Sequence, residues 1–204
     1  MSARTRILVA ALAAGALQAL YAPGVSADLP AYDRVRVLAA PRPIGDAALT
    51  DQNGAEFRLA SLRGKVAFVL FGFTNCPDVC PLSMERLRQL QASGQLDGAP
   101  VSYVLISVDG ERDTPEALTA FLAKYSTDFV GLTADPARVK PIATQFSAAF
   151  FKGAHVGHDG GYDVAHSPQI FVVDPDGNLR AELYGASLEA MSGVAHALLE
   201  ETKR

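Results

Sequence analysis

The chain has 204 residues, 49% of them hydrophobic and 20% charged, with two cysteines, four histidines and a formal net charge of −4. Its acidity argues against nucleic acid or an anionic membrane surface as a partner. The composition excludes a disordered or repetitive chain and leaves one domain with a full hydrophobic core.

In chain order, Arg4 and Arg6 precede an apolar run from Ile7 to Leu20, and Pro23-Gly24 and Val25-Ser26-Ala27 follow. This pattern predicts a secretory signal over residues 1–27, cleaved before Asp28. The rival is an uncleaved membrane anchor, since adding Tyr21 to Val25 brings the run near the ~20 residues that span a bilayer. Loss of 1–27 removes two positive charges and no negative ones, so the mature chain is more acidic still. Residues 28–43 carry Pro30, Pro41 and Pro43 and read as an extended lead-in to a domain over 44–204.

Within that domain, the turn Thr50 to Gly54 joins short strands around Leu49 and Phe57–Leu59, an N-terminal hairpin. Val66–Phe71 is a continuous apolar run, the mark of a strand covered on both faces. Pro81–Ser93 has helical spacing and stops at Gly94. Val101–Val108 is a second buried strand, and Thr114-Pro115 caps a helix to about Tyr125. Another helix follows Asp135-Pro136 and ends near Phe146. Ala148 to Asp163 is glycine-rich and holds His155 and His158, a mobile surface loop or irregular hairpin. Ile170–Val173, the turn Asp174-Pro175-Asp176-Gly177 and Leu179–Tyr184 form a terminal hairpin, and a helix from Ser187 to Glu200 closes the chain. Strands alternating with helices predict a central mixed sheet flanked by helices, an α/β thioredoxin-like fold with a loop insertion before the last hairpin.

Two cysteines in an exported chain ordinarily form one structural disulfide. Here they stand four residues apart, in Cys76-Pro77-Asp78-Val79-Cys80, where a buried strand gives way to a helix. One helical turn of spacing lets both sulfurs face one way, to close a disulfide or grip one metal. The helix dipole there favours thiolate over thiol. Two thiolates select soft ions, Cu(I) or Zn(II). An iron–sulfur cluster usually needs four protein ligands, and a structural zinc would need two further ones. Two sulfurs suffice for Cu(I), and an added imidazole completes a set that also stabilises Cu(II). His166, just ahead of the strand Ile170–Val173, is the imidazole best placed to join them. Its plainer reading is a capping or hydrogen-bonding residue. His155 and His158 are loop histidines that could approach, and His196 reads as a helix-surface residue.

Phe71-Gly72-Phe73-Thr74-Asn75-Cys76-Pro77-Asp78-Val79-Cys80-Pro81 resembles the signature of the Sco/SenC family of copper proteins. Ser107 to Glu116 resembles its second signature, and Ala165-His166-Ser167 its histidine motif. The three occur in family order, over a similarity from Leu49 to the C-terminus. The resemblance implies copper, as Cu(I) or Cu(II), held by Cys76, Cys80 and His166. It also implies a periplasmic or membrane-associated protein that helps assemble the dinuclear copper centre of cytochrome c oxidase subunit II, alongside other copper chaperones. The sequence departs from the pattern at Asn75, Gly110 and Ala165, where many members have histidine, proline and aspartate. The change at Ala165 would remove a carboxylate that orients a ligand imidazole.

A second function uses the same cysteines as a redox-active pair, a thiol–disulfide oxidoreductase in which one of Cys76 and Cys80 attacks and the other resolves. Pro168 falls where thioredoxin-like reductases carry a cis-proline, and reads equally as a strand-entry residue. A third is a peroxide-reducing or redox-sensing protein. The charged residues from Asp109 to Glu116 read as capping and positioning groups, and Phe71 and Phe73 as walls that keep water from the site.

Overall fold

The computed structural model describes residues 32–153 and 162–203. The leader and the two loop histidines His155 and His158 lie outside the described residues.

Among the described residues, ten strands and four α-helices follow in the order β1 (Val35–Pro43), β2 (Ala48–Asp51), β3 (Glu56–Arg58), β4 (Val66–Gly72), α1 (Val79–Ala92), β5 (Val101–Ser107), α2 (Pro115–Leu122), β6 (Val130–Thr133), α3 (Pro136–Gln145), β7 (Phe150–Lys152), β8 (Val164–His166), β9 (Ile170–Val173), β10 (Asn178–Leu183) and α4 (Leu188–Glu201). Eight strands form one sheet in the order β1-β10-β9-β4-β5-β6-β2-β3, and β7 pairs with β8 in a separate ribbon. At the centre, β4 runs parallel to β5 and antiparallel to β9. The order β10-β9-β4-β5 is the thioredoxin-like core, as the sequence predicts.

All seven residues of β4 are buried, because helices cover both sheet faces. Strand alternation divides them. Phe68 and Leu70 join Met84, Leu87 and Leu90 of α1, Leu118 of α2 and Val194 and Leu198 of α4. Ala67, Val69 and Phe71 join Val139, Ile142 and Phe146 on the side of α3. Phe71 sits between Phe146 and Phe171, at centroid distances of 5.2 and 5.8 Å in edge-on geometry. The helix starts follow local chemistry: Thr114, Asp135 and Ser187 each accept a first-turn amide on the side chain.

Two parts differ from the sequence reading. The lead-in is extended as expected, but Val35–Pro43 is an edge strand antiparallel to β10, with a register shift between Val37 and Arg42. An edge tolerates Pro41 and Pro43, because one side of the strand needs no amide donor. Val130–Thr133 adds a strand between β5 and β2.

The register also fixes which end of the sheet each segment meets. Leu70, near the end of β4, pairs with Ile170 at the start of β9, which pairs with Leu183 at the end of β10. Val35, the first residue of β1, pairs with Leu183 in turn. The chain therefore enters β1 at the pole where β4 hands over to α1.

Candidate metal centre

At that pole, β4 ends at Gly72 and α1 begins at Val79, so Cys76 lies in the connecting turn and Cys80 in the first helical turn. The Cys76 amide donates to the Phe73 carbonyl at 3.2 Å and tightens this turn. The turn is clamped from below by Asp113, a wholly buried carboxylate. It accepts from the Thr74 amide at 3.0 Å, the Thr74 hydroxyl at 2.6 Å and the Ser107 hydroxyl at 2.6 Å. These bonds satisfy a charge that would otherwise be costly to bury.

Gly72 makes room for the second sulfur. A Cβ added there would lie 2.7 Å from Cys80 Sγ and 3.2 Å from Leu105 Cδ1. The sulfur thus rests directly on the end of β4, which only a glycine allows.

His166 ends β8 and is brought across the cysteine turn by the ribbon. Its Nε2 lies 3.2 Å from Cys80 Sγ and 3.5 Å from Cys76 Sγ. The three donor atoms fall within 4.8 Å of one another. Nδ1 lies 3.0 Å from the Ser167 carbonyl. A carbonyl only accepts, so Nδ1 carries the proton and Nε2 turns its lone pair toward the sulfurs. The Phe73 ring meets the imidazole edge-on at 5.7 Å.

Burial sets the protonation of the group. It lowers the pKa of His166, against the opposing pull of the Ser167 and Phe71 carbonyls, and so favours the neutral imidazole that a metal requires. Burial also pushes the Cys80 thiol up. The helix start was expected to favour thiolate, and for Cys80 desolvation outweighs that pull. Both cysteines are free and buried.

Several sequence expectations take their place around this centre. Ala165 is exposed while its neighbours Val164 and His166 turn inward, so a carboxylate at 165 would project away from the imidazole. The Ser167 carbonyl takes the orienting role instead. Gly110 stands where a Cβ would run into the Ala134 carbonyl oxygen, so this chain packs there more closely than a side chain would permit. Pro168 follows a trans peptide bond and leads into β9. His196 is exposed on α4, its Nε2 2.8 Å from the Gln95 carbonyl. Nothing in the sequence pairs Asp113 with Thr74, since 39 residues separate them.

Two buried sulfurs and one half-buried imidazole, backed by apolar walls, form a donor set for a soft or borderline ion. Among the described residues no helix is long and apolar enough to cross a membrane.

Known proteins resemble this chain in fold and sequence. A copper-bound ScoI structure from Bradyrhizobium japonicum superposes with a TM-score of 0.69 at 32% identity, covering 76% of this chain and 99% of that one. A human mitochondrial SCO2 homolog is 35% identical over 150 residues, 72% of this chain and 55% of its own length. An SCO2-like protein of Rickettsia conorii is 31% identical over 140 residues, 69% of this chain and 68% of that one. The profile of the SCO1/SenC family matches residues 39–198, from within β1 to within α4 and including every residue of the centre, and the chain belongs to that family.

Proposed function

We propose that this protein is a copper metallochaperone that carries Cu(I) or Cu(II) on Cys76, Cys80 and His166. Its client is subunit II of cytochrome c oxidase, at the dinuclear copper centre, or another cuproprotein, and other copper chaperones load it. It works in the periplasm, either released from its signal or anchored to the inner membrane. The observation that carries this reading is the convergence of three donor atoms within 4.8 Å from two separate stretches of chain, the Cys76–Cys80 turn and the end of β8. Family membership and the copper-bound neighbour support it.

The copper is cargo, and the chain's residues prepare a place for it. The Ser167 carbonyl keeps the proton on Nδ1 and leaves Nε2 free to donate. Loading removes the thiol protons, so uptake releases acid and strengthens as pH rises. Two sulfurs are enough for Cu(I), and the imidazole is the added donor that Cu(II) needs.

The test is copper uptake by the reduced protein under anaerobic conditions. One Cu(I) per chain is expected, and less than one overturns the proposal. His166→Ala should abolish tight Cu(II) binding and oxidase assembly. If assembly survives His166→Ala but fails in Cys76→Ser, the pair acts instead as a thiol–disulfide oxidoreductase toward its client.

A further inference from the structure

The segment between β5 and α2 touches both halves of the centre. Its Asp113 clamps the cysteine turn through Thr74. Its other end reaches the ribbon that carries His166. The Tyr162 hydroxyl donates to Asp109 Oδ1 at 2.5 Å, and Arg112 Nη1 donates to the Tyr162 carbonyl at 3.1 Å. Arg112 also pairs with the almost wholly buried Asp109 at 2.5 Å and lies over the Tyr162 ring at 3.9 Å. Lys152 of β7 approaches the same ring at 3.9 Å and pairs with Glu111 at 2.6 Å.

The ribbon needs such fixing. Strands β7 and β8 have three residues each and, among the described residues, pair only with one another, outside the ladder of the main sheet. A two-stranded ribbon alone is marginal in water. Its base is tied by Ser167, whose amide donates to the Ala149 carbonyl at 3.0 Å and whose Oγ accepts from the Ala149 amide at 2.9 Å. The opposite end is tied by Tyr162.

We infer that Asp109, Arg112 and Tyr162 form a lock whose role is to hold His166 against the cysteine pair, setting the supply of the third donor independently of the two sulfurs. These are positioning residues, since none of them lies among the three converging donors. The consequence for copper rests on the function proposed above. The placement of His166 does not. With the lock broken, Cu(II) should lose its imidazole while Cu(I) keeps both thiolates.

The test uses the full chain with Tyr162→Phe, which keeps the ring and removes the hydroxyl, and Arg112→Gln as a second variant. In the metal-free protein, the nuclear Overhauser contacts between the His166 imidazole and Cys80 should weaken in both. Amide exchange at Val164–His166 should quicken on the order of tenfold, with β4 and β5 unchanged. In titrations with Cu(II) and with Cu(I), Cu(II) affinity should fall on the order of tenfold, as for other groups that orient a ligand histidine. Cu(I) affinity should stay within about twofold, because both thiolate ligands remain. Unchanged imidazole contacts and exchange in both variants would overturn the lock, and so would an equal loss for the two ions. A wild-type protein that takes up neither ion sinks the chaperone proposal, and the metal-free measurements still decide the lock.

Discussion

Asp113 and Thr74 are joined twice, the carboxylate taking both the amide and the hydroxyl of one residue two positions before Cys76. The pair spans two strands' ends and holds the cysteine turn to the rim of the sheet. Thr74→Val keeps the shape and removes one donor from a buried carboxylate. It should cost about 1–3 kcal/mol of stability, read as a lowered denaturant midpoint with an unchanged m-value. Thr74→Ser, which retains the hydroxyl, should recover most of the loss.

Gly72→Ala tests the seat of Cys80. The added methyl would meet Sγ at 2.7 Å and Leu105 at 3.2 Å, both from within a packed core. Overpacking of this kind costs about 1–3 kcal/mol. Since the displaced atom is a donor, copper affinity should fall as well. A variant with wild-type midpoint and affinity would show that the sulfur moves aside freely.

Alkylation should distinguish the two cysteines. Cys80 is fully buried and burial pushes its thiol up, whereas Cys76 retains 7% of its surface. Iodoacetamide requires an accessible thiolate. Timed peptide mass spectrometry of the reduced, metal-free protein should therefore find Cys76 modified first. Equal rates at both positions would refute the order.

The His166 shift predicts a dependence of stability on pH in the metal-free protein. Its pKa is lowered from 6.5 by burial, so between those two values the unfolded chain binds more protons than the native one. The contribution is present above 6.5 and is lost as pH falls through the lowered native value. His166→Phe should flatten the acid side of a plot of thermal midpoint against pH. A profile unchanged by that substitution would assign the acid loss to other groups.

Much of the fold was legible because it lies in apolar runs. Val66–Phe71 and Ile170–Val173 are buried on both faces, and such strands announce themselves in sequence. Val130–Thr133 has four residues and a glycine, too short for periodicity, and its place depends on β5 and β2 beside it. The strand Val35–Pro43 alternates poorly, and its partner β10 lies more than 130 residues downstream. The three converging donors were legible from spacing and motif. What holds them was not, because Asp113 with Thr74 and Tyr162 with Asp109 meet across 39 and 53 residues. The thiolate expectation failed for Cys80 because a helix start reveals a dipole but not how deeply a sulfur is driven into the sheet beside it.

The register of β1 has a geometric consequence for the whole chain. Val35 meets Leu183, and Leu183 meets Ile170, at the pole where Gly72 leads into the cysteine turn. The described chain therefore enters β1 on the side that bears the three donors. Anything that fixes the N-terminus in place also fixes how far those donors can travel. A pull applied at the start of β1 would act on the pole that Cys76, Cys80 and His166 share, and not on the opposite end of the strand at Pro43, which pairs with Asn178.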